Sequence, residues 1–233
     1  MPDHDDSTPP ESKDVRAFDP FSIALLDEGA RFNLILVRHG QQAERREHDS
    51  PLSDIGRKQA QAVADHLAGE HITAVFSSQL ERANHTGIAI AERHGLECVV
   101  DERLEEIHIG RDVPDGKKLS DLLPEDELKE RAKKFIATRR WDTFAMSETG
   151  AELRARVWPA LNDIRASDHE GSVVIACHGG VINAIIGQEL GVEMDYFFKV
   201  AHASVHRLRV GDDRLVIEAI NETPHLQGEL FTY

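Results

Sequence analysis

Short continuous apolar runs alternate along the chain with longer amphipathic stretches. "FNLILV", Phe32 to Val37, is nearly uninterrupted and reads as a strand buried on both faces. A polar loop follows. "SPLSDIG" then offers Ser53 or Asp54 as the cap of a helix through "GRKQAQAVADHLAG", where Ala60, Val63, Ala64 and Leu67 recur at helical spacing. "ITAVFSS" reads as a second buried strand, "QLERANHTGIAIAERHG" as a helix starting near Gln79, and "LECVV" as a third strand. An irregular segment carrying Gly110, Pro114, Gly116 and Pro124 leads into helical "EDELKERAKKFIATRR" and "GAELRARVWPALNDI". "SVVIACHGG" is a fourth strand and turn, and "VINAIIGQEL" is a short helix ending at Gly191. "ASVHRLRV" and "RLVIEAIN", joined at Gly211-Asp212-Asp213, form a hairpin.

Strands alternating with helices predict an α/β layered domain with a mainly parallel sheet, to which the hairpin adds antiparallel strands. Ligands of such sheets sit at the carboxyl ends of the strands. That rule separates two copies of one tripeptide. Arg38-His39-Gly40 directly follows a buried strand and lies at that edge. Arg93-His94-Gly95 ends a helix, where Gly95 suits a left-handed cap and the basic pair suits the negative end of the helix dipole. Arg82, in a first helical turn after "ITAVFSS", and His178-Gly179-Gly180, after the fourth strand, reach the same edge. Three strand ends thus bring two histidines and two arginines to one rim. A lone histidine is more often a satisfied core or surface group; four such groups together point to an anion site.

Composition narrows the partners. The chain has 233 residues and a net charge of -15, with its acids scattered. That balance disfavours nucleic acid and anionic membranes, and makes any anion site a local positive island. With 40% hydrophobic residues a packed core is expected. Two cysteines make no disulfide framework and fit a reducing, cytoplasmic setting. No apolar run approaches the roughly 20 residues of a membrane span. About the first 15 residues, acidic and Pro-rich, are expected to form a disordered tail without the features of a secretory signal. Residues 16–233 are read as one domain with a lid or insert at about 107–150.

"LVRHGQ", "PLSDIGRKQA", "VFSSQLERANHT", "RLEEIHIG" and "VIACHGGVINAII" resemble, in order, the motifs of the histidine phosphatase superfamily, also called phosphoglycerate mutase-like. The resemblance runs from about Asn33 to Leu190, and Asn221 to Leu226 resembles the family's C-terminal "NxxxHL". It implies a three-layer α/β sandwich, a mainly parallel sheet flanked by helices. It also implies a phosphomonoester hydrolase acting on a small phosphorylated metabolite through a phosphohistidine. His39 matches the family's nucleophile. An imidazole attacks phosphorus only through an unprotonated nitrogen, so a partner such as a backbone carbonyl must hold the other. Arg38, Arg82 and His178 match the phosphate pocket, and Gln41 and Gly179 are assigned to it as well. Glu106 matches the proton donor of L-x-E-x-x-x-G, with Glu105 as the competing candidate, taken as a solvated neighbour. No cofactor or metal is expected, and a homodimer is compatible with this reading.

The departures bear on specificity. Arg45 stands where many relatives have Asn, Gln41 where many have Glu, and "GRDVPDGKK" lacks the common "WEG". Phosphoryl-transferring mutases of the family carry a Trp–Asn pair after RHG and a longer helical insert; this chain has no Trp before Trp141, which favours the phosphatase. A cysteine phosphatase needs Cys-x5-Arg, but Asn183 and Leu104 stand six residues after Cys177 and Cys98. Among 13 histidines no HExxH or Cys/His ligand spacing appears. His202, His206 and His225 are candidates for the mouth of the site. A P-loop is absent. A non-catalytic binding module on the same fold is the alternative of a different class, disfavoured because the pocket set is complete.

Overall fold

The computed structural model describes residues 31–43, 48–212 and 214–233. The expected tail and Arg45 lie outside the described residues.

Six strands form one sheet in the order β3-β2-β4-β1-β5-β6. These are β1 (Phe32–Arg38), β2 (Ile72–Ser77), β3 (Cys98–Val100), β4 (Ser172–Cys177), β5 (Val205–Val210) and β6 (Leu215–Glu222). The pairings β3-β2, β2-β4 and β4-β1 are parallel; β1-β5 and β5-β6 are antiparallel. The hairpin therefore extends one side of a parallel sheet. The helices are α1 (Asp54–Leu67), α2 (Glu81–Arg93), α3 (Leu119–Leu122), α4 (Glu125–Thr138), α5 (Gly150–Ala166) and α6 (Gly179–Glu189).

The uninterrupted apolar runs have a direct cause in this layering. Successive side chains of a strand point to opposite faces. Leu34 and Leu36 enter one core with residues of α5 and α6, while Ile35 and Val37 enter another with residues of α1 and α2. Both faces of β1 are covered from Leu34 to Val37, so those four positions are all apolar, and polar residues stand only at exposed Asn33 and at Arg38 on the carboxyl end. The result is the three-layer α/β arrangement expected.

Local chemistry sets the element ends. Ser53, not Asp54, caps α1 by accepting the Gly56 N–H at 3.0 Å. The second helix starts at Glu81 rather than near Gln79, because the Ser78 hydroxyl takes the Leu80 N–H and keeps that stretch extended. The third strand is only Cys98–Val100, a sheet edge with Val99 and Val100 exposed. Gly95 closes α2 at φ 66°, as its place after a helix requires. One difference matters for chemistry. "HGG" is not a turn: α6 begins at Gly179, with His178 as its N-terminal flanking residue. The backbone N–H groups of Gly179 and Gly180 therefore belong to a first helical turn.

Candidate active site

Strand register places the two key histidines side by side. β1 and β4 run parallel with Arg38 opposite Cys177, so His39 and His178 leave the sheet together. The His39 N–H donates to the Cys177 carbonyl at 2.9 Å. The two imidazoles lie 5.0 Å apart between centroids, and both are buried.

Hydrogen bonding decides the state of His39. Its Nδ1 lies 2.7 Å from the Gly40 carbonyl, which can only accept, so Nδ1 carries the proton. Burial, then His178, Arg38 and Arg82, hold the ring well below the ordinary histidine range. A neutral ring with its proton on Nδ1 has a bare Nε2. The Arg82 Nε–H points at that atom, 3.3 Å away. Arg82 is fixed in turn by the His48 carbonyl at 3.1 Å and by its place in the first turn of α2. Thr86 links the two segments, accepting the Gly40 N–H at 3.1 Å and donating to the Arg82 carbonyl at 2.8 Å.

Two glycines let the loop after β1 lie against the start of α1. A Cβ on Gly56 would come 1.9 Å from the Gln41 carbonyl oxygen, and one on Gly40 would come 2.4 Å from that of Gly56. Contact this close excludes any side chain at either position. The resulting fit lets Ser53 donate from its hydroxyl to Gln41 Oε1 at 2.8 Å, which fixes Gln41 at the cavity wall.

His178 presents a buried polar group of the kind that needs a partner. Neither of its ring nitrogens has a hydrogen-bond partner among the described residues, and the same holds for Arg38 Nε. Leaving such groups unpaired is costly, and an oxyanion would satisfy them. Burial, then Arg82 and Arg38, push His178 well below its ordinary value. The Arg38 guanidinium also donates to the Val200 carbonyl.

Glu106 faces this group across the cavity. Its Oε1 accepts from the N–H groups of Ile107 at 2.9 Å and Gly180 at 3.0 Å. Burial raises the carboxyl above its ordinary value, against the pull of the Ile107 N–H, Arg38, Arg82 and the Gly180 N–H. A Cβ on Gly180 would come 2.3 Å from Glu106 Oε1, so that carboxylate occupies the space a side chain would fill. Gly179 lies just beyond, with its virtual Cβ 3.8 Å from Arg38 Nε and 4.0 Å from Glu106 Oε2. The cavity, about 680 Å³, is lined by Arg38, His39, Gln41, Arg82 and Glu106 among others. Ile107, Ile109 and Trp141, from the segment expected as an insert, supply apolar wall.

Of the three histidines proposed for the mouth, only His202 lines the cavity. Its Nδ1 contacts the Thr232 hydroxyl at 2.9 Å. His206 is fully buried and bonded to Ser204 and to the Asn221 N–H, and His225 is bonded to the Ala203 carbonyl. Asn221 and His225 brace the 199–203 loop instead: Asn221 Oδ1 takes the Ala201 N–H at 2.8 Å. Within that loop Ala203 adopts φ 52°, a conformation uncommon without a glycine, while its N–H donates to the His39 carbonyl. Glu105 turns away from the reaction centre to His48, with Oε1 2.8 Å from Nε2. Cys177 is a core residue whose thiol burial pushes up, which unfits it as a nucleophile.

Other contributors carried no local signal. Arg156, on α5, donates to the carbonyls of Arg103 at 2.9 Å, Glu105 at 2.7 Å and Glu106 at 3.1 Å, and pairs with the buried Glu148 at 2.7 Å. It clamps the segment that carries Glu106. Trp141 and Tyr233 line the cavity but stand outside the quoted motifs.

A family profile described as histidine phosphatase superfamily (branch 1) matches residues 34–223. The chain belongs to this superfamily. It is accordingly an enzyme of the phosphatase type. It is 31% identical over 212 residues to phosphoserine phosphatase 1 of Hydrogenobacter thermophilus, covering 85% of this chain and 95% of that one. It is also 31% identical over 197 residues to a probable phosphoglycerate mutase of Yersinia pestis, covering 82% and 86%. Among solved structures, a mycobacterial glucosyl-3-phosphoglycerate phosphatase in complex with inorganic phosphate is similar, with TM-score 0.67, 26% identity, and 84% and 99% of the two chains covered. The phosphoglycerate mutase of Bacillus anthracis, at 20% identity and TM-score 0.69, shares the fold.

Proposed function

We propose that the chain hydrolyses a small phosphorylated metabolite through a phosphohistidine on His39. The observation that carries this reading is the pairing of a bare Nε2, tautomer-locked by the Gly40 carbonyl, with a raised-pKa carboxyl on Glu106 at the same cavity. In the first step Nε2 bonds to phosphorus and the ester P–O bond breaks. Glu106 gives its proton to the leaving oxygen. In the second, water attacks phosphorus, Glu106 takes a proton from it, the N–P bond breaks, and phosphate leaves. Arg38, Arg82 and His178, with the N–H of Gly179 and the amide of Gln41, hold the phosphoryl oxygens. Their donors are fixed before the substrate arrives, so charge redistribution costs little reorganisation. Arginines and helix N–H groups supply the neutralisation, so the reaction needs no metal.

A cavity of about 680 Å³ falls within the range for small-molecule sites, which supports a metabolite over a macromolecule. Two free thiols, Cys98 and Cys177, support a cytoplasmic setting. Among the described residues no helix is long and apolar enough to cross a membrane. The mutase-named relative keeps phosphoryl transfer between positions of a phosphoglycerate as the alternative.

The test is a panel of phosphomonoesters that includes phosphoserine, glucosyl-3-phosphoglycerate and both phosphoglycerates. Phosphate release and isomer transfer are followed together, with His39→Ala as blank. Phosphate release from at least one ester by wild type alone supports the hydrolase. Isomer transfer without phosphate release makes it a mutase. Silence across the panel from folded protein makes it a binding module.

A further inference from the structure

One cluster beside the phosphate pocket has no part in that chemistry. His48 Nε2 lies 2.8 Å from Glu105 Oε1. The His48 and His108 rings stack with centroids 3.9 Å apart and planes 9° from parallel. One ligand-capable atom from each of the three residues lies within 4.8 Å of the other two. We propose that His48, Glu105 and His108 form a site for a divalent transition-metal ion, with Zn²⁺ the best fit to the donors.

The donor set selects the ion. Two imidazoles and one carboxylate suit zinc and its neighbours, whereas magnesium and calcium prefer oxygen alone. Three protein ligands leave a fourth tetrahedral position for water. Zinc holds its nitrogen and oxygen ligands at about 2.0–2.2 Å, which sets them roughly 3.4 Å apart in a tetrahedron. One pair of these atoms, His48 Nε2 and Glu105 Oε1, lies 2.8 Å apart, and all three lie within 4.8 Å of one another, so rotation about side-chain bonds rather than movement of backbone would bring them to an ion.

Support around the ligands is unequal. Glu105 and His108 sit on a fixed segment. The His108 N–H donates to Glu148 Oε2 at 3.1 Å, its carbonyl accepts from the Glu148 N–H at 3.0 Å, and Arg156 holds the Glu105 carbonyl. His48 comes from the loop after β1, and its carbonyl accepts from Arg82. An ion would tie this loop to the segment bearing Glu106. It would also add positive charge beside an anion pocket in a chain of net charge -15. The ion takes no part in bond making. Its effect falls on substrate binding, through the loop, Arg82 and the local field. The competing reading is that a stacked histidine pair bonded to a carboxylate joins the rim without any ion.

The experiment uses untagged full-length protein stripped with chelator and titrated with Co²⁺, whose tetrahedral complexes absorb visible light, with Zn²⁺ as displacing ion. Wild type should bind one equivalent with a tetrahedral spectrum. His108→Ala and Glu105→Gln should each weaken binding by at least about tenfold, the scale at which perturbed metal sites respond. Glu105→Gln keeps a hydrogen-bonding partner for His48, and circular dichroism reports the fold of both variants. With a phosphomonoester substrate, Zn²⁺ should lower KM in wild type and leave it unchanged in His108→Ala. Unaltered affinity in both folded variants, or no binding at one equivalent, overturns the site. A KM that Zn²⁺ does not move, or moves equally in His108→Ala, overturns its coupling to the pocket.

Discussion

Arg156→Lys separates positioning of Glu106 from its chemistry. Arg156 makes five hydrogen bonds: two to the Glu148 carboxylate and three to the carbonyls of Arg103, Glu105 and Glu106. Lysine keeps a positive charge against Glu148, so no buried carboxylate is left unpaired. A lysine ammonium has no planar fork and cannot reach both sets of acceptors. Three carbonyl bonds at about 1 kcal/mol each predict a stability loss of roughly 3 kcal/mol. With a urea slope of about 2–3 kcal/mol per molar, the unfolding midpoint falls by roughly 1 M. Arg156→Ala also strands Glu148, and a broken buried pair costs about 3–5 kcal/mol. The activity consequence follows from geometry. A shift of about 1 Å in a catalytic group costs on the order of 100-fold in rate. That loss should appear in kcat/KM, which reports phosphoryl transfer to His39, for an alkyl phosphate whose leaving oxygen needs the Glu106 proton, and be much smaller in kcat/KM for p-nitrophenyl phosphate. The assay compares kcat/KM on both substrates at a temperature where urea titration shows the variant folded. Equal losses on both substrates, or none on either, would refute positioning of Glu106 by this residue.

Glu106→Gln should cut kcat for alkyl phosphates by about 10²–10⁴ and change KM little, because the amide keeps the shape but holds no transferable proton; steady-state kinetics decide. The pH profile of kcat/KM should fall on its basic side as the raised Glu106 carboxyl ionises, and Glu106→Gln should lose that limb. Stability should fall as the solution is acidified below about pH 6.5. His39 and His178 are held well below 6.5 by burial, and His202 and His206 are lowered to about 3. The unfolded chain therefore takes up protons that the folded one refuses. The stability present above pH 6.5 is lost as pH drops toward the folded values, by up to about 1.4 kcal/mol per pH unit for each histidine. Urea titrations between pH 7 and pH 4 test this, and His206→Gln should remove one histidine's share of the slope.

Much of the fold was legible because burial leaves a pattern. Sequences buried on both faces cannot alternate, and "FNLILV" and "SVVIAC" do not. The edge strand is shorter than "LECVV" suggests, Cys98–Val100 only, because an exposed edge imposes no such constraint. His39, Arg82 and His178 could be placed from topology alone, since each follows a strand that ends at one rim. Glu106 could not: it follows a 3₁₀ turn at Glu102–Leu104, and only the resemblance singled it out. Arg156 and Glu148 were invisible for a related reason. They tie a helix back onto a loop: the carbonyl partners of Arg156 stand about 50 positions away, and Glu148 accepts the His108 N–H from 40 positions away. Reading "HGG" as a turn misses the first helical turn there, whose Gly180 N–H donates to Glu106. Two glycines signal a break in local propensity, but packing of the following apolar stretch carries the helix through them.

The central claim is that His39 carries the phosphoryl group. Rapid acid-free quenching during turnover of a ³²P-labelled phosphomonoester, followed by peptide mapping, tests it directly. The account predicts an acid-labile, base-stable label on the peptide containing His39, and no label in His39→Ala. A label on any other residue, or a labelled His39→Ala protein, would contradict it.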